Sequence, residues 1–131
     1  MTGPAEAELR MLAVLEGAAR GPKREGAYAV WLVLRVALDL LEDAPPVERA
    51  HRRRVQALEQ RLTSLTMPTP MRRALASALQ VLRDGSSDNA SRALTELVAP
   101  VREGLGQEAA AALQEALKPT ADRVAATPRQ H

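Results

Sequence analysis

The sequence has no cysteine, no phenylalanine and no isoleucine, and its 131 residues include only one tyrosine, one tryptophan and two histidines. Without cysteine there are no disulfides, no thiolate nucleophiles and no cysteine-based zinc sites, and a reducing compartment suits the chain. With imidazoles at His51 and His131 alone, nothing supplies a second nitrogen donor near His51. Lysine is scarce as well, at two residues against sixteen arginines. Few β-branched and aromatic residues beside abundant Ala, Leu, Arg and Glu predict helix throughout and no sheet. Long hydrophobic runs are also missing. The longest, residues 27–41, is shorter than the roughly 20 residues a bilayer crossing needs, and Arg35 and Asp39 interrupt it. The opening MTGPAEAELR puts acidic residues where a secretory signal carries positive charge, so a cytoplasmic chain without a membrane span is expected.

What is present is organised around that same run, AYAVWLVLRVALDLL, in which only Arg35 and Asp39 are charged. Wound at about 100° per residue, Tyr28, Arg35, Asp39 and Glu42 fall in one narrow polar stripe. Val30, Val33, Leu34, Val36, Leu38, Leu40 and Leu41 spread over the remaining two thirds of the circumference. A helix apolar on most sides is a buried central helix with neighbours around it. The expected fold is therefore all-α: a compact bundle of five or six short helices with the hydrophobic helix at about 27–43 in its centre.

Punctuation along the chain marks the other helices. Pro4 with Glu6 and Glu8 opens the first, and Gly21-Pro22 stops it. Lys23, Arg24 and Glu25 read as a charged entry to the central helix, which ends before Pro45-Pro46. Pro46 can start a third helix with Val55, Leu58, Leu62 and Leu65 on one stripe and His51 just upstream. Thr69 is a natural N-cap and Pro70 a first-turn residue for a fourth, with Met71, Ala74, Leu75, Ala78, Leu79 and Leu82 inward. Gly85 closes it, and Ser86 to Asn89 offer a turn and caps. The fifth keeps its apolar phase from Ala90 to Leu105 across Pro100, which favours one helix kinked at Pro100 over a break at Ala99. Residues 107–118 have high helix propensity but only Leu113 and Leu117 as large anchors, so a lightly docked helix is expected. Residues 1–118 form one domain, and 119–131 read as a frayed or disordered tail.

Charge is unevenly distributed. Residues 46–75 hold seven arginines, among them Arg49, Arg53, Arg72 and Arg73, against Glu48 and Glu59, a net +5 in a chain of formal charge +2. The remainder thus sums to −3, an asymmetry of the kind that attracts phosphate backbones or an acidic protein. The helical wheel weakens the nucleic-acid reading. Arg49 and Arg53 share the face opposite the Leu stripe, Arg54 and Arg61 lie on one flank, and Arg52 sits beside Glu48 and Glu59, where it pairs locally. No aromatic residue is interleaved to stack on bases, so a solvated arginine-rich face is the simpler account.

Other chemistry is thin. Glu48-Arg49-Ala50-His51 spells a Glu-x-x-His pair, but carboxylate-bridged metal bundles need a second such motif, and His51 reads as a packed or rim residue. Arg35 and Asp39 form an i, i+4 pair with Trp31 one turn before Arg35. Left open, this is a surface bridge; covered, the stripe of Tyr28, Trp31, Arg35 and Asp39 is a dimer seam with Trp31 stacked on the guanidinium. A deep pocket lined by Tyr28, Arg35, Asp39 and Glu42 would instead point to an enzyme. No Ser/His/Asp grouping, phosphate loop or paired-carboxylate site can be assembled, so neither catalytic residues nor a metal or other cofactor are expected. The expected function is a non-enzymatic interaction module, a homodimer or an adaptor for a protein partner. A bundle binding nucleic acid through its Arg-rich face stands as the alternative. The argument for association is that helix two and the Ala-rich helix at 107–118 ask for more apolar cover than a chain of this size offers.

Overall fold

A computed structural model describes residues 4–18, 21–41 and 48–126; side chains of 4, 5, 22 and 119–126 are not described. Among the described residues the fold is all-α, with six helices and no strand: α1 (Pro4–Gly17), α2 (Pro22–Leu41), α3 (Glu48–Ser64), α4 (Thr69–Leu82), α5 (Ser87–Leu105) and α6 (Gln107–Ala126). No helix is long and apolar enough to cross a membrane among the described residues.

The central position of α2 follows from its composition. All seven of the aliphatic residues on its broad apolar arc are buried, with Ala27, Ala29 and Ala37 between them. It contacts each of the other five helices. The helix starts at Pro22, not at Ala27, because Pro22 fits a first turn and Gly21, at φ 120°, ends the preceding turn. Lys23 to Glu25 are therefore its first turn and not a separate entry. Glu42, Asp43 and the start of the third helix at Pro46 lie outside the described residues.

The expected shortage of cover is not found. The arc of α2 that the sequence left unassigned is enclosed by α1, α3, α4, α5 and α6 of the same chain. Likewise α6 is not lightly docked: Ala109, Ala110, Ala112, Leu113 and Ala116 are all buried, and α5 and α1 pack along it. Alanine gives a small transfer energy per residue, but it lets helix axes approach closely enough for many contacts at once. The backbone of α6 is helical through Ala126, past the Pro119 at which the tail was placed. Residues 127–131 of that expected tail lie outside the described residues.

Two other boundaries were legible. α5 is one helix with Pro100 inside it, and its missing bond falls at Glu96, which is exposed so that water can take the freed carbonyl. Ser86 caps α5 by accepting from the Asn89 N–H at 3.1 Å. At α4 the cap sits one residue earlier than expected: Pro68 is the N-cap, Thr69 is already helical, and no side chain closes the turn.

Glycines set one packing detail. Met71 of α4 is threaded between α2 and α5, and a Cβ placed on Gly104 would come within 2.1 Å of its Cε, one on Gly26 within 2.9 Å of its Sδ. A side chain at either position would require the flexible Met71 thioether to shift.

Candidate functional site: the α2 aromatic stripe and the α3–α4 arginines

The stripe on α2 lies between α1 and α3, which do not touch each other. Its residues come from a single helix at three- and four-residue spacing, so they share a face by geometry alone. Tyr28 and Trp31 stack with ring centroids 6.1 Å apart at 29°. The Arg35 guanidinium lies 5.0 Å from the Trp31 ring centre and that of Arg61, from α3, lies 5.6 Å from the Tyr28 ring. Arg61 also donates to the Tyr28 hydroxyl at 3.0 Å. The result is a run of pairwise contacts, Arg61 to Tyr28, Tyr28 to Trp31 and Trp31 to Arg35, in which two stacked rings each have a guanidinium neighbour. Both rings are half-buried, and the Trp31 Nε1 is enclosed without a hydrogen-bond partner among the described residues.

Trp31 and Arg35 thus meet as the spacing implied, but Arg35 and Asp39 do not pair. Arg35 turns to Glu8 of α1, at 3.5 Å, and Asp39 takes Arg54 of α3. Each charge finds a partner on a different neighbouring helix, which an i, i+4 rule cannot anticipate because it knows only one helix. The two pairs flank the stripe and tie α1 and α3 to α2. Tyr28 borders a shallow groove of about 260 Å³ with Leu15, Arg24 and Glu25, and Glu42 lies outside the described residues.

The arginines of residues 46–75 have unlike surroundings. Arg72 is half-buried and donates through both of its terminal nitrogens to the Leu62 and Leu65 carbonyls, at the end of α3. The Leu62 carbonyl accepts from the Leu65 N–H as well, at 3.3 Å, and a planar guanidinium reaches both carbonyls at this helix end at once. Arg52 pairs with Glu48 at 2.9 Å, as its spacing implied, while Glu59 takes Arg83 of α4, also at 2.9 Å. Arg49, Arg53 and Arg73 are exposed, without an ion-pair partner among the described residues.

These three are not brought together. Arg72 fixes the start of α4 against the end of α3, and His51 fixes the end of α4 against the start of α3, so the two helices run antiparallel. Arg73 therefore sits near Leu62, while Arg53 lies nine residues back, roughly 14 Å of helix rise. That exceeds the screening length of about 8 Å at physiological salt, so they do not act as one patch.

His51 is a packed residue. Its side chain is buried, its Nε2 donates to the Leu82 carbonyl at 2.5 Å, and its ring edge lies against Gly85. Nδ1 is enclosed without a partner among the described residues. No group of three His, Asp or Glu side chains able to hold a metal ion occurs among the described residues.

The sequence reading missed one surface feature. A groove of about 740 Å³ opens where the end of α1 meets the start of α2 and the α5–α6 turn, lined by Arg10, Ala13, Val14, Gly17, Ala18, Lys23, Leu105 and Glu108. Its signal was the Ala and Gly spaced along the outer face of α1, which period-based reading assigns to solvent.

In class, then, this is an all-α helical bundle built around one enclosed helix. The chain matches no protein-family model, no curated protein and no solved structure.

Proposed function

We propose that the chain is a non-enzymatic interaction module, a small helical bundle that associates with itself or serves as an adaptor for a protein partner. The observation that carries this reading is the half-open run of Arg61, Tyr28, Trp31 and Arg35 between two helices that do not meet. Tyr, Trp and Arg are the residue types enriched at protein interfaces and among the few side chains that dominate their energetics. Here the chain's only Tyr and only Trp stand side by side, already ordered by their guanidinium neighbours, so little rotamer entropy is lost when a partner covers them. An acidic partner would also find Arg49, Arg53 and Arg73 unoccupied.

The test combines particle mass with the emission of Trp31. The reading expects a mass above the 14.1 kDa chain, or a blue shift of Trp31 emission when a protein partner is added, with Trp31→Ala and Arg35→Ala weakening the binding of that partner. A 14.1 kDa particle at all concentrations, whose interactions consist only of salt-sensitive retention on nucleic acid that disappears in the Arg49, Arg53 and Arg73 triple alanine variant, would overturn it.

A further inference from the structure

The outer side of α1 is unlike that of the other helices. Ala7 and Met11 face the bundle and are buried, and the opposite side carries Leu9, Ala13 and Gly17 at successive four-residue steps. Leu9 is 65% exposed, and no other large hydrophobic residue is exposed among those described. Ala13 and Gly17 are exposed as well, and a Cβ built on Gly17 meets no atom within 4 Å. Beside Gly17 opens the 740 Å³ groove, floored by Val14, Ala18 and Leu105. One helix therefore presents an apolar knob in water and, beside its end, a groove with an apolar floor and Arg10, Lys23 and Glu108 along its walls.

Resting on the reading that the chain self-associates, we propose that a second copy of this chain docks on α1, the two α1 helices packing antiparallel about a two-fold axis beside Ala13. Leu9 precedes Ala13 by four residues and Gly17 follows it by four, so that axis sets Leu9 of each copy level with Gly17 of the other. The knob of each copy enters the hollow of its mate, and small residues at the crossing let the helix axes come close. The same operation brings Glu6, near the acidic start of one α1, to the end of the other, where Lys23 stands. Neither has an ion-pair partner among the described residues. Opposed helix dipoles also favour this direction. The aromatic stack on α2 is not part of the contact. A single helix pair gives a contact below about 1,200 Å², so the dimer is weak and its population rises with concentration.

The lack of cysteine makes the contact directly testable. Ala13→Cys places one thiol beside the two-fold axis, within disulfide reach of its mate, where Arg53→Cys on the exposed side of α3 places one far from it. Mild oxidation of Ala13→Cys is expected to give a covalent dimer of twice the 14.1 kDa chain mass, at least tenfold faster than Arg53→Cys. In the cysteine-free chain, Leu9→Lys is expected to raise the dimer dissociation constant at least tenfold with unchanged helical circular dichroism, and Trp31→Ala to leave it within twofold. A particle that stays at 14.1 kDa up to millimolar chain removes the self-association reading and this contact together. A dimer indifferent to Leu9→Lys, with Ala13→Cys no faster than Arg53→Cys, leaves self-association standing and overturns this surface alone.

Discussion

Arg72 and Arg73 are neighbours in sequence with opposite fates, since one closes the end of α3 through two backbone carbonyls and the other points into water. Removing Arg72 leaves the Leu65 carbonyl without a partner in a half-buried site and the Leu62 carbonyl with only the Leu65 N–H, at 3.3 Å. Arg72→Ala is therefore expected to cost about 1–3 kcal/mol in urea unfolding. Arg72→Lys should recover little of it, because an ammonium cannot match two acceptors with one planar fork. Arg73→Ala should stay within about 0.5 kcal/mol of wild type. The sequence treated the two alike as surface cations, and nothing local separates them: the distinction depends on where α3 ends relative to α4. His51 shows the reverse. Its place on an apolar stripe was enough to read it as a packed or rim residue, while its partner, the Leu82 carbonyl, lies 31 residues away and could not be read.

At the scale of helices, size matters more than hydrophobicity. The alanines of α6 were counted as weak anchors, yet five of its small or leucine positions are buried against α1 and α5. Close packing makes such positions intolerant of added volume. Ala112→Leu, which adds hydrophobic surface, is expected to destabilise by about 1–3 kcal/mol, where a lightly docked helix would have gained. The Met71 slot makes a second case. Gly104→Ala puts a methyl against the Met71 Cε and forces the flexible thioether to shift, a loss of about 1–3 kcal/mol that the gain of about 0.5–1 kcal/mol for alanine over glycine in a helix partly offsets. In a Met71→Ala background the added loss should shrink, because the clashing atoms are gone, and a double-mutant cycle reads the difference. The continuity of α5 through Pro100 was legible because an apolar phase kept on both sides of a proline has no reason to survive a break.

For the whole molecule, the arrangement of contacts predicts uneven stability. Among the described residues α2 is touched by every other helix, whereas α3 meets only α2 and α4, and only His51, Val55 and Leu62 of α3 are buried. Its further ties are the His51 bond to Leu82, the Arg72 bonds to Leu62 and Leu65, and ion pairs to Asp39 and from Arg83, of which the exposed pairs contribute little. Amide exchange is expected to proceed in α3 through local opening, well below the global unfolding free energy, and in α2 only through global unfolding. Equal protection across both helices would contradict this. The unmet demand for apolar cover that suggested a dimer is answered by the chain's own helices, so association is argued instead from the outer face of α1 and the aromatic stack.

The amino-acid order alone settled where most helices lie, that no strand forms among the described residues, and that α2 is enclosed on its broad apolar arc. Those properties arise from repeats of three to four residues, caps and prolines, which act over one or two turns. The packed bundle decided that Arg35 answers Glu8 and Asp39 answers Arg54, that Arg72 closes α3, and that an Ala-rich helix docks tightly. It also decided that a hollow opens beside Gly17. Each of these depends on which helices become neighbours and how closely their axes approach, a matter of complementary surfaces between segments far apart in the chain, which no local period records.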